Sequence, residues 1–174
     1  MKTQTKTEGT IERESLEGVF RAELTEAYFA QKHLTDVYKK MAAAANNEEL
    51  KKVFETQVQN TTLQVSRIEK CFELLELKPD TDYVDAVSGL ADASEEIITS
   101  FEQGHVRDAA LIATAQKIEH YGISAYGTLR TMATVMGRVQ CAQLLEENKD
   151  EEAETDEALT RLAGTINQQA FDAD

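Results

Sequence analysis

The chain has 174 residues, with 32 acidic against 18 basic side chains and a formal charge of −14. That length suits one domain with a sizeable core, and so acidic a surface repels phosphate backbones and anionic lipid, which excludes nucleic acid and membranes as expected partners. Two cysteines are too few for a secreted disulfide framework; the start MKTQTKTEGTIERES has no apolar centre and no run approaches spanning length, so a cytoplasmic protein is expected.

A single proline, Pro79, and few glycines among Ala, Leu, Glu, Lys and Gln mark an all-α protein. The expected organisation is a polar tail over 1–14, one helical bundle over 15–166 and a second polar tail, frayed, over 167–174. Ser15 is the candidate N-cap of a first helix running to about Ala45, with the apolar stripe Leu16, Val19, Phe20, Leu24, Ala27, Leu34, Val37, Tyr38 and Met41. Asn46-Asn47-Glu48-Glu49 then supplies a stop, a cap and an acidic first turn for a second helix. That helix carries Leu50, Val53, Phe54, Val58, Val65, Ile68, Phe72 and Leu75 and ends before Lys78-Pro79-Asp80.

A link of about twenty-five residues follows, with a short helix expected from Val84 to Phe101. A third long helix spans about Val106 to Met136, stopped by Gly137, and a fourth about Val139 to Ala163. The short first and third connections make two antiparallel hairpins. The long middle link lets the second hairpin cross over the first, which is ferritin-like four-helix connectivity with a short extra helix in the crossover. Cys71 and Cys141 fall inside helices and fit reduced, half-buried thiols, with a disulfide left open.

The inward faces also carry polar residues. Gln31 lies on the first helix, Gln57, Asn60, Thr61 and Gln64 on the second, Glu119 and Gly122 on the third, and Asn148, Glu152 and Thr155 on the fourth. Glu119 is the most telling, because Leu111, Ala115, Ile118, Ala125, Leu129, Met132 and Met136 flank it at threes and fours. An unpartnered carboxylate on that face would cost several kcal/mol. All four sets sit near mid-helix, and Gln31 to Gln64 and Glu119 to Glu152 are both 33 residues apart. A pseudo-twofold layer follows, in which Glu119 meets Glu152 and Gln31 faces Gln64.

Such a layer is where bundles build di-iron or di-manganese sites, usually from a Glu on each of two helices and a Glu-x-x-His on each of the others. Here the good inward carboxylates are Glu119 and Glu152, with Glu151 adjacent. The literal Glu102-Gln103-Gly104-His105 sits at a Gly-broken junction and reads as coincidence. His120 is one position off the inward line, and His33 reads as surface. Tyr28, Tyr38, Tyr121 and Tyr126 read as core tyrosines with wet hydroxyls, not redox relays. No Gly-rich phosphate loop, Ser/His/Asp set or CxxC pair is present.

Four stretches, ELTEAYFAQKHL (23–34), RIEKCFELLELKP (67–79), RDAALIATAQKIEHYGISAYGTL (107–129) and DEEAETDEALTRLA (150–163), resemble the YciE/YciF family of bacterial ferritin-like proteins. The resemblance implies a ferritin-like fold, a homodimer, a dimetal centre and an association with stress. It also implies a Glu where Gln31 stands, a His and a Glu at Gln57 and Asn60, and a second Glu at Gly122. Glu119, His120, Glu151 and Glu152 match the family residues, and Glu26 stands where relatives carry Asp.

Two high-charge cations in a low-dielectric core need about four carboxylates. Glu119 and Glu152 therefore form at most a residual metal site, with Glu26, His120 and Glu151 as helpers. The amides of Gln31, Gln57, Asn60 and Gln64, with Asn148 and Thr155, can satisfy both carboxyls without metal. Like-charge repulsion should then let the two share a proton. The expectation is a non-catalytic bundle with no cofactor and no identifiable small-molecule substrate. The alternative is a working iron or manganese protein that oxidises metal or detoxifies peroxide; any cofactor would be divalent Fe or Mn.

Overall fold

The computed structural model describes residues 14–79 and 85–173; Val84, Asp80, the rest of the N-terminal tail and Asp174 lie outside the described residues. These form five α-helices and no strand: α1 (Leu16–Ala44), α2 (Glu48–Leu74), α3 (Ser88–Ser100), α4 (His105–Val135) and α5 (Val139–Asp172).

The ends follow from local chemistry. Ser15 Oγ accepts the Gly18 N–H at 3.0 Å, and Asn47 Oδ1 accepts those of Glu49 and Leu50 at 2.9 and 3.0 Å, filling donors that the first turns leave free. Gly137, with φ +71°, closes α4. The Arg138 N–H reaches the Ala133 carbonyl at 2.8 Å and the Gly137 N–H that of Thr134 at 3.0 Å, a Schellman ending that favours glycine. The α2 ending is alike, with the Leu77 N–H on the Phe72 carbonyl at 2.9 Å, but a non-glycine residue, Glu76, takes the positive φ of 54°.

The four long helices close a ring in which α1 packs on α2, α2 on α5, α5 on α4 and α4 on α1, while α3 rests against α4 and α1. Cross-helix bonds fix the directions. Gln31 meets Gln64 and Tyr28 meets Glu69; Tyr38 meets Glu119 while Arg107 meets Ala44; Gln57 meets Thr155 and Cys71 meets Cys141. Neighbours in the ring are thus antiparallel, which makes α2 and α4 parallel. The link between them must travel back along the bundle, and α3 lies on that crossover. The first turn of α4 also secures the α1–α2 turn, since the buried Asp108 carboxylate accepts the N–H groups of Asn46 and Asn47, each at 2.8 Å.

Three expectations are corrected. Leu16 and Val19 are 43% and 40% exposed, because the first turn of α1 projects beyond the apolar cluster that begins at Phe20. The fourth long helix does not end at Ala163, and the polar segment after it is not frayed. It stays helical to Asp172, with Ile166 fully buried and Gln168 bonded to Asp172 at 2.9 Å. Cys71 and Cys141 are fully buried rather than half-buried, and both are free thiols.

Candidate functional site

The apolar core comes in two clusters. One holds Leu34, Met41, Phe54, Leu111, Ile118 and Leu159; the other holds Phe20, Leu24, Ile68, Tyr126, Leu129 and Leu145. On every long helix the polar residues singled out from sequence fall between them. Gln31, Gln57, Thr61, Gln64, Glu119, Asn148, Glu152 and Thr155 are all buried, and Asn60 is partly so. Heptad spacing sets this level: Gln57 and Gln64 on α2 oppose Thr155 and Asn148 on α5, seven residues apart on each helix.

The layer is closely hydrogen-bonded. Gln31 Nε2 donates to Gln64 Oε1 and, at 3.3 Å, to Glu152 Oε1. The Tyr38 hydroxyl donates to Glu119 Oε1, and Gln57 Nε2 donates to Glu119 Oε2 at 2.9 Å. Gln57 Oε1 in turn accepts from Asn60 Nδ2 at 3.1 Å and from the Thr155 hydroxyl at 3.2 Å. Glu119 and Glu152 are electrostatic neighbours within this layer. Burial pushes Glu119 well above the usual carboxyl range, and the adjacent Glu152 charge adds to the effect. Burial also pushes Glu152 up to about 7, opposed by the bonds from Glu119, Gln64 and Gln31.

The helper positions are engaged elsewhere. Glu151 holds the Arg67 guanidinium in a two-pronged pair, Nη1 to Oε2 at 2.8 Å and Nη2 to Oε1 at 2.7 Å, and also accepts from Gln64 Nε2 at 3.1 Å. Arg67 Nη1 further donates to Asn148 Oδ1 at 3.0 Å. A side-chain cation therefore already sits at this edge of the layer. His120 points outward, its side chain 68% exposed, with Nε2 3.6 Å from Asp156. Glu26 accepts from the Tyr121 hydroxyl at 3.0 Å on another face of α1. His33 is exposed beside Asp85 at 3.3 Å, and Glu102 is exposed ahead of α4. Among the described residues no group of three or more His, Cys, Asp or Glu side chains is placed to hold a metal ion.

Gly122 is filled from across the layer. A Cβ there would lie 2.8 Å from Glu152 Oε2 and 2.9 Å from its Cδ. A surface groove of about 470 Å³, lined by Lys52, Asn60, Glu151, Glu154, Thr155 and Arg161, runs along the α2–α5 seam at the outer edge of the layer.

Tyr38 and Arg67 are members that the sequence reading missed. Tyr38 and Tyr126, expected with wet hydroxyls, are each 1% exposed, and the Tyr38 hydroxyl is committed to Glu119. The available signal was position, for Tyr38 lies seven residues beyond Gln31 on one face of α1. Gln31 and Glu119, Tyr38 and Tyr126, Asn60 and Asn148, and Gln64 and Glu152 are also each 88 residues apart, a repeat between the hairpins.

Residues 15–171 match the model of a family described as a domain of unknown function, DUF892. Protein YciF of Escherichia coli strain K12 is 42% identical over 158 residues, which cover 90% of this chain and 95% of that one. The crystal structure of the E. coli stress protein YciF superposes with a TM-score of 0.86 at 41% identity, covering 90% of this chain and 99% of that one. YcfI of Rhodopseudomonas palustris gives a TM-score of 0.79 at 29% identity, covering 87% of this chain and 98% of its own. No described helix is long and apolar enough to cross a membrane. With family model, sequence and overall structure all in agreement, the chain belongs to the DUF892 family and is a relative of YciF.

Proposed function

We propose that this is a ferritin-like bundle of a stress-associated family whose dimetal site has been replaced by a hydrogen-bonded amide layer, leaving a non-catalytic protein with weak or no affinity for metal. The observation that carries the reading is the state of the two carboxyls. Both Glu119 oxygens accept bonds from the protein, Tyr38 and Gln57, and Glu152 is held by Gln31 against Gly122. A metal would have to displace those donors, expel a shared proton and leave the buried Gln57 amide without its Glu119 acceptor. The donor set therefore does not fit a pair of metal ions.

The layer instead specifies helix register. A shift of one helix along its neighbour would separate several buried polar pairs at once, each costing about 1–3 kcal/mol. In the same reading the chain is cytoplasmic, and a homodimer as its resemblance implies.

Metal analysis of protein purified without chelator, alongside Glu119→Gln and Glu152→Gln, tests this directly. The expected content is well below one tightly held transition metal per chain, unchanged by either substitution. Two tightly held ions per chain, lost in both variants, would establish the iron or manganese enzyme reading instead. Melting curves with excess Fe²⁺ or Mn²⁺ provide an independent check, since a ligand stabilises only by binding the folded form; little shift is expected.

A further inference from the structure

One heptad beyond Gln64 and Asn148 on the α2–α5 seam, the polar layer gives way to Cys71 and Cys141. Each sulfur lies 3.9 Å from the main-chain carbonyl of the other residue, Cys71 Sγ on the Cys141 oxygen and Cys141 Sγ on the Cys71 oxygen. The two thiols are thus enclosed between the same pair of helical turns. They are not equivalent. Cys141 is the third residue of α5, where unpaired first-turn N–H groups and the positive helix end favour a thiolate, and Arg138 precedes it by one turn. Cys71 lies in the last turn of α2, at the negative end. A surface groove of about 300 Å³, lined by Leu74, Leu75, Gly137, Arg138, Gln140 and Cys141, reaches the Cys141 side of the pair.

We propose that Cys141 and Cys71 form a peroxide-responsive dithiol, in which a peroxide entering this groove oxidises Cys141 and Cys71 then closes a disulfide joining α5 to α2. In the first step the Cys141 thiolate attacks one peroxide oxygen and the O–O bond breaks. The departing oxygen takes a proton and leaves as water, or as an alcohol from an organic peroxide, and Cys141 becomes a sulfenic acid. In the second step Cys71, as thiolate, attacks the Cys141 sulfur; the S–O bond breaks and hydroxide leaves as water with the proton Cys71 has given up. One peroxide is reduced and two thiols are oxidised, so no other co-reactant is needed. The electrostatics agree with this division of roles. The bond from Cys71 and the Arg138 charge lower Cys141 below the usual thiol range, whereas the bond to Cys141 and burial raise Cys71.

The test exposes the reduced wild-type protein to hydrogen peroxide, quenches with catalase, unfolds and alkylates it, and maps peptides without reductant. The expected product is an intrachain Cys71–Cys141 disulfide, seen as a mass lower by two hydrogens and loss of both alkylation sites. In Cys71→Ser, dimedone should trap a sulfenic acid at Cys141, and in Cys141→Ser labelling at Cys71 should be at least tenfold slower. Arg138→Ala should slow disulfide formation several-fold. Two fully alkylated thiols, disulfides only between chains, or equal dimedone labelling of the two single variants would each overturn the proposal. The wild-type peptide map decides the matter even if a serine variant fails to fold, because two thiols that merely fill space would both remain alkylatable.

Discussion

The carboxyl of Glu152 occupies the space that a side chain at position 122 would need: a Cβ on Gly122 would stand 2.8 Å from Glu152 Oε2, 2.9 Å from Cδ and 3.0 Å from Cγ. Alanine in mid-helix is ordinarily favoured over glycine by about 1 kcal/mol. Here Glu152 is buried and bonded to Gln31, so it cannot simply retreat. Gly122→Ala should therefore destabilise the protein by about 1–2 kcal/mol net of the propensity gain. In a Glu152→Ala background the same change should turn neutral or stabilising. A urea double-mutant cycle measures the coupling; additive effects would mean that the two residues do not compete for this space.

The facing carboxyls set the direction of a pH effect. Glu152 is raised from an ordinary 4.5 to about 7, and Glu119 is raised well above its ordinary value. The folded protein thus keeps protons that the unfolded chain releases. The stability they give is fully present below about pH 4.5; the Glu152 part is lost as pH rises through about 7, and the Glu119 part is lost in the same direction. The Glu152 share is about 3 kcal/mol over that window, at 1.36 kcal/mol per unit. Urea unfolding of wild type against Glu152→Gln from pH 5 to 8 should show the wild type losing stability faster by up to one proton's slope. A gap that stays constant, or reverses sign, would contradict the shared proton.

What could be read from sequence divides along physical lines. Apolar spacing and caps act locally, so Ser15, Asn47 and Gly137 marked their helix ends within a residue or two, and Gln31, Gln64, Glu119 and Glu152 were placed inside by periodicity alone. Partners contributed by amphipathic side chains were not legible. Tyr38 can face a core or water, and Arg67 is a surface residue in any periodic count until Glu151 and Asn148 are brought to it by α5. His120 reads as one position off the inward line, and a step of one residue, a rotation of about 100°, does carry it outward to Asp156 on α5. The extension of α5 to Asp172 carries few apolar residues, so periodicity lost it, while Ile166 packing and helix-forming Ala and Gln sustain it.

Asp108 is a second residue whose task appears only in three dimensions. Its buried carboxylate takes the N–H groups of Asn46 and Asn47, pinning the α1–α2 turn to the start of α4, while Arg107 Nη2 donates to the Ala44 carbonyl at 2.7 Å. Asp108→Ala should cost about 2–3 kcal/mol, because two charge-assisted bonds vanish at once. Amide hydrogen exchange should show faster opening at Asn46 and Asn47, with the mid-bundle amides protected as before. Unchanged exchange at that turn would assign the carboxylate no such role.

Arg67 gives the sharpest test of the edge of the layer, because its guanidinium lies where a helper carboxylate would otherwise be free to turn inward. Its Nη1 and Nη2 hold both oxygens of Glu151, Nη1 also holds Asn148 Oδ1, and Nε pairs with Glu147 at 3.1 Å. The arginine side chain is only 20% exposed and that of Glu151 23%, so the pair is screened less than a surface pair but not fully desolvated. Arg67→Leu should cost about 1–2 kcal/mol at neutral pH. It should also release Glu151 as a third carboxylate beside Glu152, so Mn²⁺ at millimolar concentration should raise the melting temperature of the variant more than that of wild type. The contrast needs both curves in the same buffer. If Mn²⁺ leaves the variant as unaffected as the wild type, a free Glu151 cannot reach the layer, and the amides alone, rather than Arg67, keep cations out.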